Sequence, residues 1–229
     1  MAGIDAYTML MLHCDGTDTS TTFTDSSTNQ VAKTQTANGN AQIDTAQSKF
    51  GGASGLFDGT GDYLTTPDSA DFNYGTGDFT IDFWVRFNTR TGDDTFYDRN
   101  ATVRILLGIF GGNLYFYIGG VVLSNAWTPS LATWYHVAFV RSGTSCWTFV
   151  DGTIFGGPAT NSSNITGAAT LFIGANLEAG DGFDGWFDEL RISKGIARWT
   201  ANFTPPTEAY SEPSTQAPRS MHQYRMRRN

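Results

Sequence analysis

Apolar and polar residues alternate along most of this chain with a period of two, and the alternation predicts a series of strands. FTIDFWVRF (79–87) puts Phe79, Ile81, Phe83, Val85 and Phe87 on one side and Thr80, Asp82, Trp84 and Arg86 on the other, as a half-buried strand would. WYHVAFVR (134–141) and CWTFV (146–150) predict two more, the second running into Asp151-Gly152 and then TIF. Asp-Gly between apolar runs predicts a tight hairpin, because both central residues of that turn need positive φ. ILLGIF (105–110), Gly111-Gly112-Asn113 and LYFYI (114–118) repeat the arrangement with a longer loop. LFIGA (171–175) and WFDELRI (186–192) supply the last strong strands, with shorter ones at YTMLMLH, GLFDG and YLTTP, bounded by glycine and proline.

Nothing between these runs has the length and 3.6-residue period of a crossover helix, so the expected fold is all-β: antiparallel sheets packed as a sandwich. Residues 15–48, rich in Thr, Ser, Asn and Gln, read as a polar excursion over the surface. After Trp199 the texture changes, and Pro205, Pro206, Pro213 and Pro218 are four of the chain's seven prolines. The expected organisation is one domain over 1–206 and an extended Pro/Arg-rich arm over 207–229. An arm with no core of its own needs something to hold it, so a partner chain is expected to take Arg219, Tyr224, Arg225, Arg227 and Arg228.

Composition changes the picture little. A chain of 229 residues buries about 70% of its unfolded surface and needs neither disulfide nor metal for a core. Cys14 and Cys146 are too few for a disulfide framework and read as two small buried residues. Charge is more informative. The net is −8, but four arginines against Glu212 make residues 211–229 +3, which leaves −11 for the rest. An acidic body excludes nucleic acid as the expected partner. No apolar run approaches the roughly 20 residues of a membrane span, and MAGIDAYTMLMLHCDG lacks the features of a signal peptide.

One series of segments carries a family likeness. SKFGGASGLFDGTGDYLTTPDSADFNYGTGDFTIDFWVRF (48–87), WYHVAFVR, VDGT (150–153) and LFIGANLEAGDGFDGWFDELRISKGIARWTANFTPP (171–206) resemble the laminin-G-like jelly-roll domains of the concanavalin A-like lectin/glucanase superfamily. The likeness runs from about residue 10 to 206. It implies two curved antiparallel sheets, often one calcium ion, often glycan or protein ligands, and usually no catalysis. The ending GIARWTANFTPP is similar to those of tailed-phage virion proteins. By the same likeness WFDELRI is the closing strand, with Leu190, Ile192 and Trp186 facing the core, and KGIARW is a single helical turn.

Retaining glucanases need two carboxyls about 5 Å apart; the Glu-x-Asp-x-Glu pattern of the superfamily's enzymes is absent, and only Glu178, Glu189, Glu208 and Glu212 are available. Asp188 and Glu189 are adjacent, so on a regular strand they point to opposite faces. GASGL around Ser54 departs from the serine-hydrolase elbow, and His13, His136 and His222 lie in a strand, a strand and the tail, where a lone strand histidine reads as a half-buried surface residue rather than a catalytic one. Calcium would use loop carboxylates among Asp15, Asp18, Asp25, Asp58, Asp62 and Asp188, and the resemblance implies Asp15 or Asp25 with Asp188. The competing reading of each is a turn aspartate bonding its own backbone. Glycan stacking would use Trp84, Tyr97, Trp127 and Trp147. The expected function is a non-enzymatic phage virion protein, a capsid decoration or tail component located in the virion. It would meet other virion proteins through the arm, bind host or environmental glycans, and form a homo-oligomer, with neither nucleic acid nor membrane as partner. The alternative is a calcium-dependent carbohydrate-binding lectin module outside a virion.

Overall fold

The computed structural model describes residues 3–28, 30–177 and 180–211. The arm residues Arg219, Tyr224, Arg225, Arg227 and Arg228 lie outside the described residues. Among the described residues fifteen strands follow in chain order: β1 Thr8–Leu12, β2 Thr36–Asn38, β3 Gln42–Asp44, β4 Ser54–Asp58, β5 Tyr63–Thr66, β6 Phe79–Phe87, β7 Asp94–Asn100, β8 Arg104–Phe110, β9 Asn113–Ile118, β10 Val121–Ala126, β11 Trp134–Ser142, β12 Ser145–Val150, β13 Thr153–Thr160, β14 Leu171–Ile173 and β15 Asp184–Lys194. One sheet has the order β13-β12-β11-β6-β15-β4-β3, with β1 also on β15; the other has β10-β9-β8-β7-β14-β5-β2. Every pairing is antiparallel. The two sheets form the all-β sandwich expected of the alternation.

Their inner faces meet in one core. Phe83, Phe87, Phe96, Phe183 and Phe187 interlock at its centre with ring centroids 4.5–6.1 Å apart, most pairs edge to face, the geometry that aromatic quadrupoles favour. The Asp151-Gly152 turn has φ of 48° and 73°, as the hairpin reading required. The polar excursion also pairs, contributing β2 and β3 at the far edges of the two sheets.

Two strand readings are corrected. β6 is not half-buried: Thr80, Asp82 and Trp84, on its outward side, are buried as well. The 45–52 loop covers Trp84, and Thr80 and Asp82 lie under a strap, residues 195–211, laid across the outer side of the eight-stranded sheet. Trp199 and Phe203 stack with centroids 4.0 Å apart and cover Ala138, Val140 and Phe149. Arg198 pairs with Asp5 at 2.9 Å, and Phe203 N donates to Gly152 O. Tyr210 packs on Ile4 and Met11, and Ile4 N donates to Ser211 O. The chain is therefore attached to the sandwich past the expected boundary at 206, as far as Ser211. KGIARW forms no helical turn, and Gly195 at φ 82° turns the chain after β15.

The second correction concerns β15. Against β6, Asp188 is paired with Trp84 and Arg191 with Asp82, so β15 holds one residue too many. Glu189 absorbs it as a bulge with φ 51°. Parity flips there, so Phe187, Leu190 and Ile192 share the core. Trp186 does not join them; its Nε1 donates to Asp44 and its ring takes the Arg86 guanidinium at 4.8 Å.

Candidate functional site

The outer face of the seven-stranded sheet carries an uncovered aromatic surface. In β9 the burial alternates, with Leu114, Phe116 and Ile118 inward and Tyr115 and Tyr117 outward. Their rings lie 6.2 Å apart at 16°, and Phe110 at the end of β8 meets Tyr115 edge-on at 5.3 Å. Gly108 stands opposite Tyr115 in the register; a Cβ there would overlap the Asp94 carbonyl, so bare backbone floors the space beside the tyrosine. Towards the other edge Phe172 of β14 and Tyr63 of β5 form a second ring pair at 5.7 Å. All five rings are partly exposed.

Between the two aromatic groups sits a fixed ion pair. Asp98 faces outward from β7, opposite Leu106 and Phe172, yet it is fully buried. Its two oxygens accept Arg104 Nε and Nη2, both at 2.8 Å, and Oδ2 also accepts Leu177 N. This fork holds the guanidinium plane in one orientation. Arg104 also lies close enough to oppose the rise that burial and Tyr117 impose on the Tyr115 phenol.

None of the four predicted stacking residues belongs to this surface. Trp84 is buried beneath the 45–52 loop, with Lys49 Nζ 3.8 Å from its ring and Phe50 and His136 edge-on. Tyr97 is in the core, its hydroxyl 3.3 Å from that of Tyr74 and its pKa pushed up to about 12 by burial. Trp127 packs against Phe87, Tyr135 and Phe155. Trp147 is half-buried against the small cluster under the strap. The residues that do form the surface, Tyr115 and Tyr117, stood two apart in LYFYI, where the period-two reading already separated them from Leu114, Phe116 and Ile118.

The acids divide. Asp25 is structural: Oδ1 accepts Met11 N and Ser27 N, and Oδ2 accepts Lys33 N. Asp62 accepts Asn40 N and Asp58 N, and Asp18 accepts Thr45 N. Asp15 is exposed beside Gly51. Glu189, lifted out of the strand by its bulge, takes His13 Nδ1 and Tyr210 N, each at 2.6 Å. Asp188 Oδ2 accepts Lys49 N and Phe50 N while its Oδ1 is buried without a partner. Of the calcium set implied by Asp15 or Asp25 with Asp188, Asp25 is committed to backbone donors, while Asp15 lies near enough to Asp188 for the two charges to act on each other. Among the described residues no three His, Cys, Asp or Glu side chains are placed to hold a metal ion. Both cysteines are buried and unpaired.

The lone oxygen has a measurable consequence. Burial, with Glu189 and Asp15 nearby, pushes the Asp188 pKa up to about 8, against the pull of the two backbone donors. The folded state then binds a proton that the unfolded chain releases near pH 4, so Asp188 costs stability progressively as pH rises from about 4 to about 8. Asp188→Asn keeps the acceptor for Lys49 and Phe50 and removes the charge. Its melting temperature is expected to match wild type at pH 5 and to exceed it at pH 9, by the equivalent of about 1–3 kcal/mol. Equal melting curves at both pH values would contradict this.

A second acidic group lines a cleft of about 360 Å³ at one end of the sandwich, where Asp58, Asp93, Asp94, Asp181 and Asp184 meet. Burial, with Asp184 and Asp93 nearby, pushes Asp94 up to about 6. Each of the five carboxylates already accepts a neighbouring hydrogen bond, as from Arg90 to Asp94 and from Thr89 to Asp184. No aromatic ring lines the cleft.

A laminin G family model, described as the concanavalin A-like lectin/glucanases superfamily, matches residues 58–198. No curated protein sequence matches the chain significantly. Several solved structures share the fold. Domain 4 of AbnA, a GH43 extracellular arabinanase from Geobacillus stearothermophilus in complex with arabinotriose, superposes with TM-score 0.64 at 20% identity, over 83% of this chain and 93% of that one. The binding domain of Paraclostridial Mosquitocidal Protein 1 gives 0.65 at 14% identity, over 83% of this chain and 49% of that one. The binding domain of botulinum neurotoxin DC in complex with SialylT gives 0.56 at 15%, over 83% of this chain and 48% of that one. This chain thus spans about half the length of the toxin binding domains.

Proposed function

The chain belongs to the concanavalin A-like lectin/glucanases superfamily, and from that premise we propose that it is a non-enzymatic carbohydrate-binding sandwich whose ligand lies on the aromatic outer face of the seven-stranded sheet. The observation that carries the reading is the uncovered set Phe110, Tyr115, Tyr117, Phe172 and Tyr63 around the Arg104–Asp98 fork. Flat rings stack on the apolar faces of sugars, and a fixed fork of donors meets their hydroxyls. The similar arabinanase domain, whose structure holds arabinotriose, lends support. So does the burial of Asp82, Asp188 and Glu189, which keeps these acids from an open cleft.

Affinity electrophoresis through polysaccharide gels and an oligosaccharide array test the reading. Tyr115→Ala with Tyr117→Ala is expected to weaken binding about 30-fold, from roughly 1 kcal/mol per ring, with an unchanged melting temperature. Retained binding would overturn it. A chelator is expected to leave binding intact, since Asp98, the acid of this surface, is committed to Arg104 and Leu177 N; loss on chelation would favour the calcium-dependent module.

We further propose that the sandwich is a tailed-phage virion component, on the head as decoration or on the tail, present in several copies. The ending GIARWTANFTPP supports this, together with the place where the chain leaves the fold. Ser211 is bonded to Ile4 on the outer side of the eight-stranded sheet, opposite the aromatic face, so a basic segment beginning there could hold a particle while the ligand face points away. Because Tyr210 belongs to the sandwich, the informative truncation is after Ser211. It should fold and be lost from particles; normal incorporation would end the virion reading.

A further inference from the structure

Resting on the carbohydrate reading above, we infer that this face selects extended, uncharged oligosaccharides and discriminates against acidic ones. The charge balance of the face carries the inference. Its one outward guanidinium, Arg104, is neutralised at contact distance by Asp98, which is fully buried and therefore cannot be drawn away into solvent. The other cations of the adjoining loops are likewise engaged: Arg99 with Asp68, Lys33 with Asp71 and Arg90 with Asp94. Among the described residues a carboxylate or sulfate arriving at the rings would meet no uncompensated positive charge, and a body of net −11 would repel it. A hydroxyl-bearing sugar meets no such penalty. A third of the Arg104 side chain remains exposed, held in plane as a donor rather than acting as a mobile charge.

The second term is length. The Tyr115–Tyr117 pair on β9 and the Phe172–Tyr63 pair are separated by β8 and β7. Strand spacings of about 4.8 Å put β9 and β14 about 15 Å apart. One sugar ring cannot reach both, so the surface fits a chain of several residues laid across the strands, with Arg104 and Asp98 beneath its middle.

The test is a binding series on the full chain with paired probes: neutral arabinan and xylo-oligosaccharides of rising length, and polygalacturonate and a sulfated galactan as acidic counterparts. Neutral chains are expected to bind at least tenfold more tightly than acidic ones at low salt, with monosaccharides failing to compete. Asp98→Asn, which keeps an acceptor and releases the Arg104 charge, is expected to raise affinity for the acidic probes about tenfold and to make it salt-sensitive. Should that variant unfold, wild-type discrimination and its length dependence still decide. Acidic probes bound as tightly as neutral ones, in a manner lost with Tyr115→Ala and Tyr117→Ala, would overturn this inference and leave the glycan site standing. Binding to neither class would remove both.

Discussion

Asp82→Ala should be among the most destabilising single substitutions on the outer side of the eight-stranded sheet. Asp82 is fully buried and receives Arg191 through Nε and Nη2 at 3.1 Å, the Tyr210 hydroxyl at 2.5 Å and, more distantly, His136 Nε2 at 3.5 Å. Burial alone would raise its pKa, but Arg191 and His136 hold it well below the usual carboxylate range. Its contribution is therefore complete above the unfolded value near pH 4 and fades only in stronger acid. Removing the carboxylate leaves a buried guanidinium with no counter-charge, which costs about 3–5 kcal/mol. For a chain of this length that lowers the melting temperature by about 10 °C or more. Asp82→Leu with Arg191→Met should recover much of the loss, because a well-packed apolar pair can replace a buried ion pair at little cost. A shift of under 3 °C for Asp82→Ala would show that the network contributes little.

That network also marks where reading the chain by period stops working. The strand cores were legible because burial on the inner faces follows the alternation directly, and Phe79, Ile81, Phe83, Val85 and Phe87 all reach the core. Which outward faces are covered was not legible, since this depends on a segment more than a hundred residues away. Thr80 and Asp82 look solvent-facing until the strap lies over them, and Trp84 until Lys49 and Phe50 of the 45–52 loop close on its ring. The same polarity pattern on β9 left Tyr115 and Tyr117 uncovered. A local pattern assigns the side of a sheet, not what lies upon it. The bulge at Glu189 was hidden for another reason: one residue with positive φ in β15 breaks the parity argument, and glutamate carries no compositional mark of that conformation. The acid pair does escape opposite-face placement there, but both members turn into structure, Asp188 onto the 45–52 loop and Glu189 onto His13 and Tyr210.

Ending the chain after Gly195 is expected to abolish soluble folded protein, although it removes only residues beyond the last strand. The strap supplies the apolar cover of Ala138, Val140 and Phe149 through Ala197, Trp199 and Phe203, meets His136 edge-on with the stacked Trp199 and Phe203 rings, and seats Tyr210 over the Arg191 guanidinium at 3.8 Å. Without it an apolar face and the Asp82–Arg191 pair open to water together. A continuous exposed patch of that kind drives association. The effect can be separated by position: ending the chain after Ser211 retains every strap contact and should melt with the full-length protein, whereas Tyr210→Ala should lie between, losing about 2–4 kcal/mol of packing and hydrogen bonding. Size-exclusion chromatography and thermal melts of the three proteins order them. A soluble monomer ending at Gly195 with an unshifted melt would mean the sandwich is complete without its strap, and that the buried state of Asp82 and His136 has another cause.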